Sequence, residues 1–129
     1  MEHKSGRHEP IALRDYQEGC VAALTGSALD TIAKIRRAPA NRQRITREQG
    51  YALLEAPTAS GKTVMLAATA EGIGHAAPIV WFAPFAGVID QTISTLHRVA
   101  PAYACEFPRK IVRWMGQNLA TCSSPHGQA

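Results

Sequence analysis

The chain has 129 residues, 46% of them hydrophobic, and a formal net charge of +4. This length suits one small domain, and the hydrophobic fraction is high enough for a core, which excludes a globally disordered chain. The apolar stretches are too short to cross a membrane, and residues 1–10 lack the apolar core of a signal peptide, so we expect a cytoplasmic protein. Three widely spaced cysteines and five scattered histidines predict neither a disulfide framework nor a metal site.

Residues 1–9 are predicted to be a flexible tail. From Leu13 onward, apolar residues recur at helical spacing to Leu24 and again between residues 28 and 35, until Ala38 and Pro39 end the pattern. A basic loop is predicted next, because six of the fourteen basic residues lie between positions 34 and 47. This cluster suits either a nucleic-acid phosphate backbone or a solvated surface, and charge alone does not decide between them.

The most informative segment is residues 56–63, with the sequence A-P-T-A-S-G-K-T. It follows the apolar run 51–55, which predicts a buried strand, and precedes a stretch typical of a helix. Strand, tight loop and helix in this order are the context of a phosphate-binding loop. Backbone N–H groups face the anion, Lys62 supplies a positive charge, and the Thr63 hydroxyl is placed to bind Mg²⁺.

The helix after the loop is predicted to end near Gly72 or Gly74. Residues 78–83 predict a strand that Pro84 ends, and residues 88–99 predict a helix that Pro101 ends. Strand, helix and strand form a βαβ unit, so the predicted fold class is α/β with a parallel sheet flanked by helices. Residues 107–115 predict one more strand, and residues 116–129 have the composition of a disordered tail.

Three segments together resemble the N-terminal part of superfamily 2 DEAD/DEAH-box helicases, especially the branch similar to the Res subunit of type III restriction enzymes. They are the L-R-D-Y-Q element at residues 13–17, the loop at 56–63, and the F-A-P-F segment at 82–85 continued to Asp90-Gln91-Thr92. The resemblance covers roughly residues 11–100. It implies that residues 10–115 form an incomplete RecA-like P-loop NTPase domain that binds ATP and Mg²⁺.

The resemblance also implies individual roles. Gln17 would read the adenine edge, for which a side-chain amide can donate and accept at once. Thr63 would hold Mg²⁺, and no catalytic residue is assigned. The phosphates would be held by Pro57, Thr58, Ala59, Ser60, Gly61, Lys62 and Thr63. Nucleic acid, by resemblance DNA with RNA left open, would contact Pro84, Phe85, Gln91 and Thr92.

Two departures from the family pattern affect the expected activity. Ala59 stands where the family commonly has Gly, which should weaken nucleotide binding. The sequence has no adjacent Asp-Glu pair for the family's D-E-x-x motif, and Asp90 is a poor substitute because it belongs to a predicted helix. We therefore expect an ATP-binding fragment of a DNA-dependent ATPase or helicase, truncated before that motif and unable to hydrolyse ATP alone.

Two other function classes remain open from the sequence. The first is a small P-loop phosphotransferase, which the L-R-D-Y-Q element disfavours. The second is a non-catalytic fragment that binds nucleic acid through residues 34–47. In the leading hypothesis, the expected protein partners are the remaining helicase domain or a modification or specificity subunit.

Overall fold

The computed structural model describes residues 11–106, apart from the side chains of His75, Ala86, Cys105 and Glu106. This part of the chain is built from helices joined by short turns and by two segments without regular secondary structure. The predicted tails at 1–9 and 116–129 and the predicted strand at 107–115 lie outside it. The helices are α1 (Asp15–Arg37), α2 (Arg42–Gln49), α3 (Lys62–Ile73), α4 (Ala86–Val99) and α5 (Pro101–Glu106).

Helix α1 confirms the long helix predicted from residues 13–35. Its first turn is closed by Gln17, whose Oε1 accepts the backbone N–H of Arg14 at 3.0 Å. This bond satisfies one of the N–H groups that a helix start leaves without a partner. The helix ends at Arg37, ahead of Ala38 and Pro39, as the sequence predicts.

The predicted basic loop is wrong in part, because residues 42–49 form helix α2. Arginine, glutamine and glutamate are good helix formers, and no Gly or Pro interrupts the segment before Gly50. Two hydrogen bonds attach the end of α2 to α1. Lys34 Nζ donates to Gln49 Oε1 at 2.7 Å. The Thr31 hydroxyl shares its one proton between the Ser27 carbonyl of its own helix at 2.9 Å and the Gln49 carbonyl at 3.2 Å.

Helix α3 lies at the centre, since it packs against both α1 and α4. Small side chains allow this double packing, and at Gly72 an added Cβ would lie 2.8 Å from Thr25 Cγ2 of α1. The buried residues of α3 are Met65, Ala67, Ala68, Thr69 and Ala70. A helix covered on two sides carries apolar residues around most of its circumference, which explains its lack of a polar face.

A second packing layer joins α3 to α4 and α5. Ala67 of α3, Leu96 of α4, Ala100 between the helices and Ala104 of α5 form one buried cluster. The prediction of a helix up to Val99 is confirmed by α4. Pro101 separates it from α5 and begins the new helix, a position that needs no backbone N–H donor. Among the helices that the structure describes, none combines the length and apolarity that a membrane crossing requires.

The predicted parallel sheet is wrong, because residues 11–106 contain no strand. The apolar runs at 51–55 and 78–83 have no regular secondary structure, and no backbone–backbone hydrogen bond seen in this part of the chain involves them. Leu53 is 88% exposed, so the run at 51–55 is not buried as predicted, and Phe82 in the run at 78–83 is 83% exposed. An apolar run favours extended backbone locally, whereas a strand also requires a paired neighbour, and neither run has one here. The RecA-like domain predicted for residues 10–115 therefore lacks its sheet in the described region.

We predict that Met65→Ala lowers the free energy of unfolding by about 3 kcal/mol, since Met65 is 0% exposed and its removal leaves a cavity. Leu66→Ala at the next position is the control, because Leu66 is 39% exposed and should lose about 1 kcal/mol or less. Urea denaturation measures both. Equal losses would contradict the burial of Met65 in this packing.

Candidate phosphate-binding site

The loop before α3 forms a tight turn. The Ser60 N–H donates to the Pro57 carbonyl at 3.2 Å, and both Ala59 (φ 64°) and Gly61 (φ 82°) adopt the left-handed conformation. Glycine is favoured at position 61 by the positive φ, and it is also required because a Cβ there would collide with the amide nitrogen of Gln17. Two left-handed residues around Ser60 turn the chain directly into α3.

The N-terminus of α3 leaves backbone donors free beside this loop. The first intrahelical hydrogen bond runs from the Met65 N–H to the Gly61 carbonyl at 2.9 Å. The N–H groups of Lys62, Thr63 and Val64 therefore precede the helical hydrogen-bond ladder. No side chain caps this end and no acidic residue lies in its first turn, so its partial positive charge is not neutralised locally.

Helix α1 holds the loop through a single carbonyl, that of Ser60. Tyr16 Oη donates to it at 2.9 Å and Gln17 Nε2 donates to it at 3.0 Å. Sequence reasoning assigned no role to Tyr16, although this residue lies inside the L-R-D-Y-Q element. Only the phenol beside Gln17 could have indicated this contact, because the Ser60 carbonyl to which it donates is 44 residues away in the chain.

Gln17 is 7% exposed, and its carboxamide forms hydrogen bonds within the protein. Its Oε1 accepts from Arg14 and its Nε2 donates to Ser60. A carboxamide has two N–H donors and two acceptor lone pairs, so one of each remains after these two bonds. The predicted adenine contact is therefore compatible with the observed hydrogen bonds, although it stays a prediction.

A cavity of about 390 Å³ opens beside the loop. Residues of the loop and of the first turn of α3 line one side, and Gln91 and Thr95 of α4 line the other. The loop side consists of Thr58, Ala59, Gly61, Lys62, Thr63 and Val64. Lys62 is the single charged residue of this lining, and no carboxylate belongs to it. In the same loop, Ser60 Oγ is buried without a hydrogen-bond partner in the described part of the chain. The cavity is suited to an anion with several acceptor oxygens.

The residues predicted to contact nucleic acid are not brought together. Thr92 is 6% exposed and its hydroxyl donates to the Val88 carbonyl at 2.7 Å, so it faces the interior. Pro84 and Phe85 are exposed just before α4. Gln91 lines the phosphate cavity instead, and Thr95, which sequence reasoning missed, joins it there at a spacing of four residues.

Asp90, considered from the sequence as a substitute metal ligand, is an exposed residue of α4. It does not belong to the cavity lining. Its assignment to a helix is thus confirmed.

We predict that Ala59→Gly stabilises the chain relative to Ala56→Gly by about 1 kcal/mol, measured as the difference in free energy of unfolding in urea. Ala59 has a positive φ, at which a Cβ costs about 1 kcal/mol. Ala56 is not among the residues with positive φ, so glycine there only adds flexibility to the unfolded chain. A loss at Ala59 as large as that at Ala56 would contradict the left-handed conformation.

Comparison with known proteins supports the motif analysis. A family model described as the type III restriction enzyme, res subunit, matches residues 10–123. No curated protein and no solved structure matches the chain. The family match spans the L-R-D-Y-Q element, the phosphate loop and α4 together, and it implies an ATP-dependent helicase-type domain. The chain therefore belongs to the type III restriction enzyme res subunit family, as its motifs suggested.

Proposed function

We propose that this chain binds Mg-ATP at residues 57–63, as the nucleotide-binding part of a nucleic-acid-dependent ATPase or helicase. The observation that supports this most directly is the cavity at the N-terminus of α3. It combines free backbone N–H groups, the positive Lys62 and no carboxylate in its lining. Phosphates are the anions for which this arrangement is used most often in proteins.

Each part of the site has a separate task in this proposal. The N–H groups of Lys62, Thr63 and Val64 donate to phosphate oxygens, and the Lys62 ammonium binds the outer phosphates. The Thr63 hydroxyl, half-buried at the cavity, holds Mg²⁺, which neutralises phosphate charge when bound. The remaining donor and acceptor of Gln17 bind the adenine edge.

Hydrolysis by this chain alone is not part of the proposal. Phosphoryl transfer to water needs a carboxylate that orients the water, and a second acidic group on the metal. The sequence has no adjacent Asp-Glu pair, and Asp90 does not line the cavity. The residues at hand can therefore bind and orient the phosphates without activating a water molecule.

Calorimetric titration of the chain with Mg-ATP tests the nucleotide site. We expect Lys62→Ala to lower the affinity at least tenfold, because it removes a charge-assisted bond to phosphate. Lys34→Ala is the matched control, since Lys34 interacts with Asp30 and Gln49 and does not line the cavity. The control should keep the affinity within about twofold.

Two results would contradict the nucleotide site. One is the absence of Mg-ATP binding by the unsubstituted chain under conditions where circular dichroism shows its helices. The other is equal affinity in Lys62→Ala and Lys34→Ala, which would move the binding away from the loop.

Nucleic acid is proposed as the partner on the basis of a separate surface, which we term the basic corner. It lies where α1 meets α2 and consists of Lys34, Arg36, Arg37, Arg42, Arg44 and Arg47. All except Lys34 are exposed, and among residues 11–106 only Lys34 forms an ion pair, with Asp30. Exposed cations without carboxylate partners favour a polyanion such as DNA. The family also suggests a nucleic-acid interaction in the parent protein.

We predict that replacing Arg42, Arg44 and Arg47 by alanine weakens binding to a DNA duplex and flattens its salt dependence. For every phosphate that the variant no longer neutralises, the slope of log K against log salt becomes shallower by roughly 0.9. Fluorescence anisotropy across a salt series measures this slope. Lys62→Ala provides the comparison and should leave it unchanged. Duplex binding that does not respond to salt would refute an electrostatic role of the basic corner.

A further inference from the structure

The wall of the phosphate cavity opposite the loop belongs to α4, and Gln91 is its principal polar side chain. Gln91 and Thr95 line this wall together, one helical turn apart. The Thr95 hydroxyl donates to the Gln91 backbone carbonyl at 2.9 Å, so its proton is already in use. The hydrogen bonds of residues 11–106 leave the Gln91 carboxamide without a partner. Two N–H donors of α4 are thus available at the cavity.

The residues that share the cavity with Gln91 indicate which end of a bound nucleotide it would contact. The cavity that it lines includes Lys62 and Thr63, which in a phosphate loop serve the β- and γ-phosphates and their Mg²⁺. Helix α4 packs against α3, whose first turn carries both residues, and the shared cluster of Ala67 and Leu96 fixes the two helices against each other. Gln91 therefore lies on a helix packed against α3 and shares the cavity with Lys62 and Thr63.

We propose that Gln91 donates a hydrogen bond to the terminal phosphate of a bound nucleoside triphosphate, so that α4 distinguishes a triphosphate from a diphosphate. The inference rests on the proposed nucleotide site and adds a residue from a second helix to it. A neutral amide suits this role, because it donates to phosphate oxygens without the repulsion that a carboxylate would introduce. Loss of the terminal phosphate removes the contact and leaves the loop side of the cavity unchanged.

The test compares ATP with ADP on the full 129-residue chain, by calorimetry in the presence of Mg²⁺. Gln91→Ala should lower the ATP affinity about tenfold, the equivalent of one hydrogen bond to a charged group, and the ADP affinity less than about twofold. Gln91→Glu should lower the ATP affinity further, and added salt should reduce that extra loss. Ser94→Ala is the matched control, because Ser94 is exposed on α4 and does not line the cavity.

The outcomes separate this inference from the nucleotide site itself. If Lys62→Ala abolishes ATP binding while Gln91→Ala keeps the ratio of ATP to ADP affinity, the role of Gln91 is refuted and the site stands. Equal losses for ATP and ADP in Gln91→Ala would also refute it, because they indicate a general effect on the cavity. If the unsubstituted chain fails to bind ATP, the nucleotide site and the inference both fail.

Discussion

The carbonyl of Ser60 is the point on which the geometry of the candidate site depends. It accepts hydrogen bonds from Tyr16 and Gln17 in adjacent positions of α1, more than forty residues earlier in the chain. Because this carbonyl points toward α1, the two left-handed residues on either side of it are fixed as well. The loop is therefore shaped by a tertiary contact as much as by its own sequence, and α1 is part of the site without lining the cavity.

Helix α3 connects stability to binding. Its middle carries Met65 and the small residues that pack against α1 and α4, while its first turn supplies the backbone donors of the cavity. A helix held along its length by two neighbours presents its N-terminal N–H groups in a fixed direction, which would suit the proposed binding of an anion. The twelve residues of α3 thus contribute both to the core and to the candidate site.

The features that depend on local spacing could be predicted from the sequence. Helices α1 and α4 follow from apolar periodicity, and α3 follows from its place after the phosphate loop and from the glycines that end it. The phosphate loop is recognisable because its motif is contiguous. Helix α2 lies where the crowding of charge predicts a loop, because the same residues are also good helix formers. The predicted sheet was wrong because strand pairing is non-local, and an apolar run carries no information about a neighbour beside it.

Three features of the site could not be predicted from the sequence, because they depend on how α1 and α4 pack against α3. They are the contact of Tyr16 with Ser60, the place of Gln91 in the cavity wall and the burial of Thr92.

The exposed apolar runs at 51–55 and 78–83 have a consequence for the behaviour of the chain in solution. Their backbone groups show no backbone–backbone hydrogen bonds in the described region, and they expose Leu53, Val80 and Phe82. Exposed apolar segments with unpaired backbone groups favour association with identical segments of other molecules, at a rate that grows with protein concentration. We therefore expect these two segments to limit the colloidal stability of the chain, while the packing of the helices sets its conformational stability.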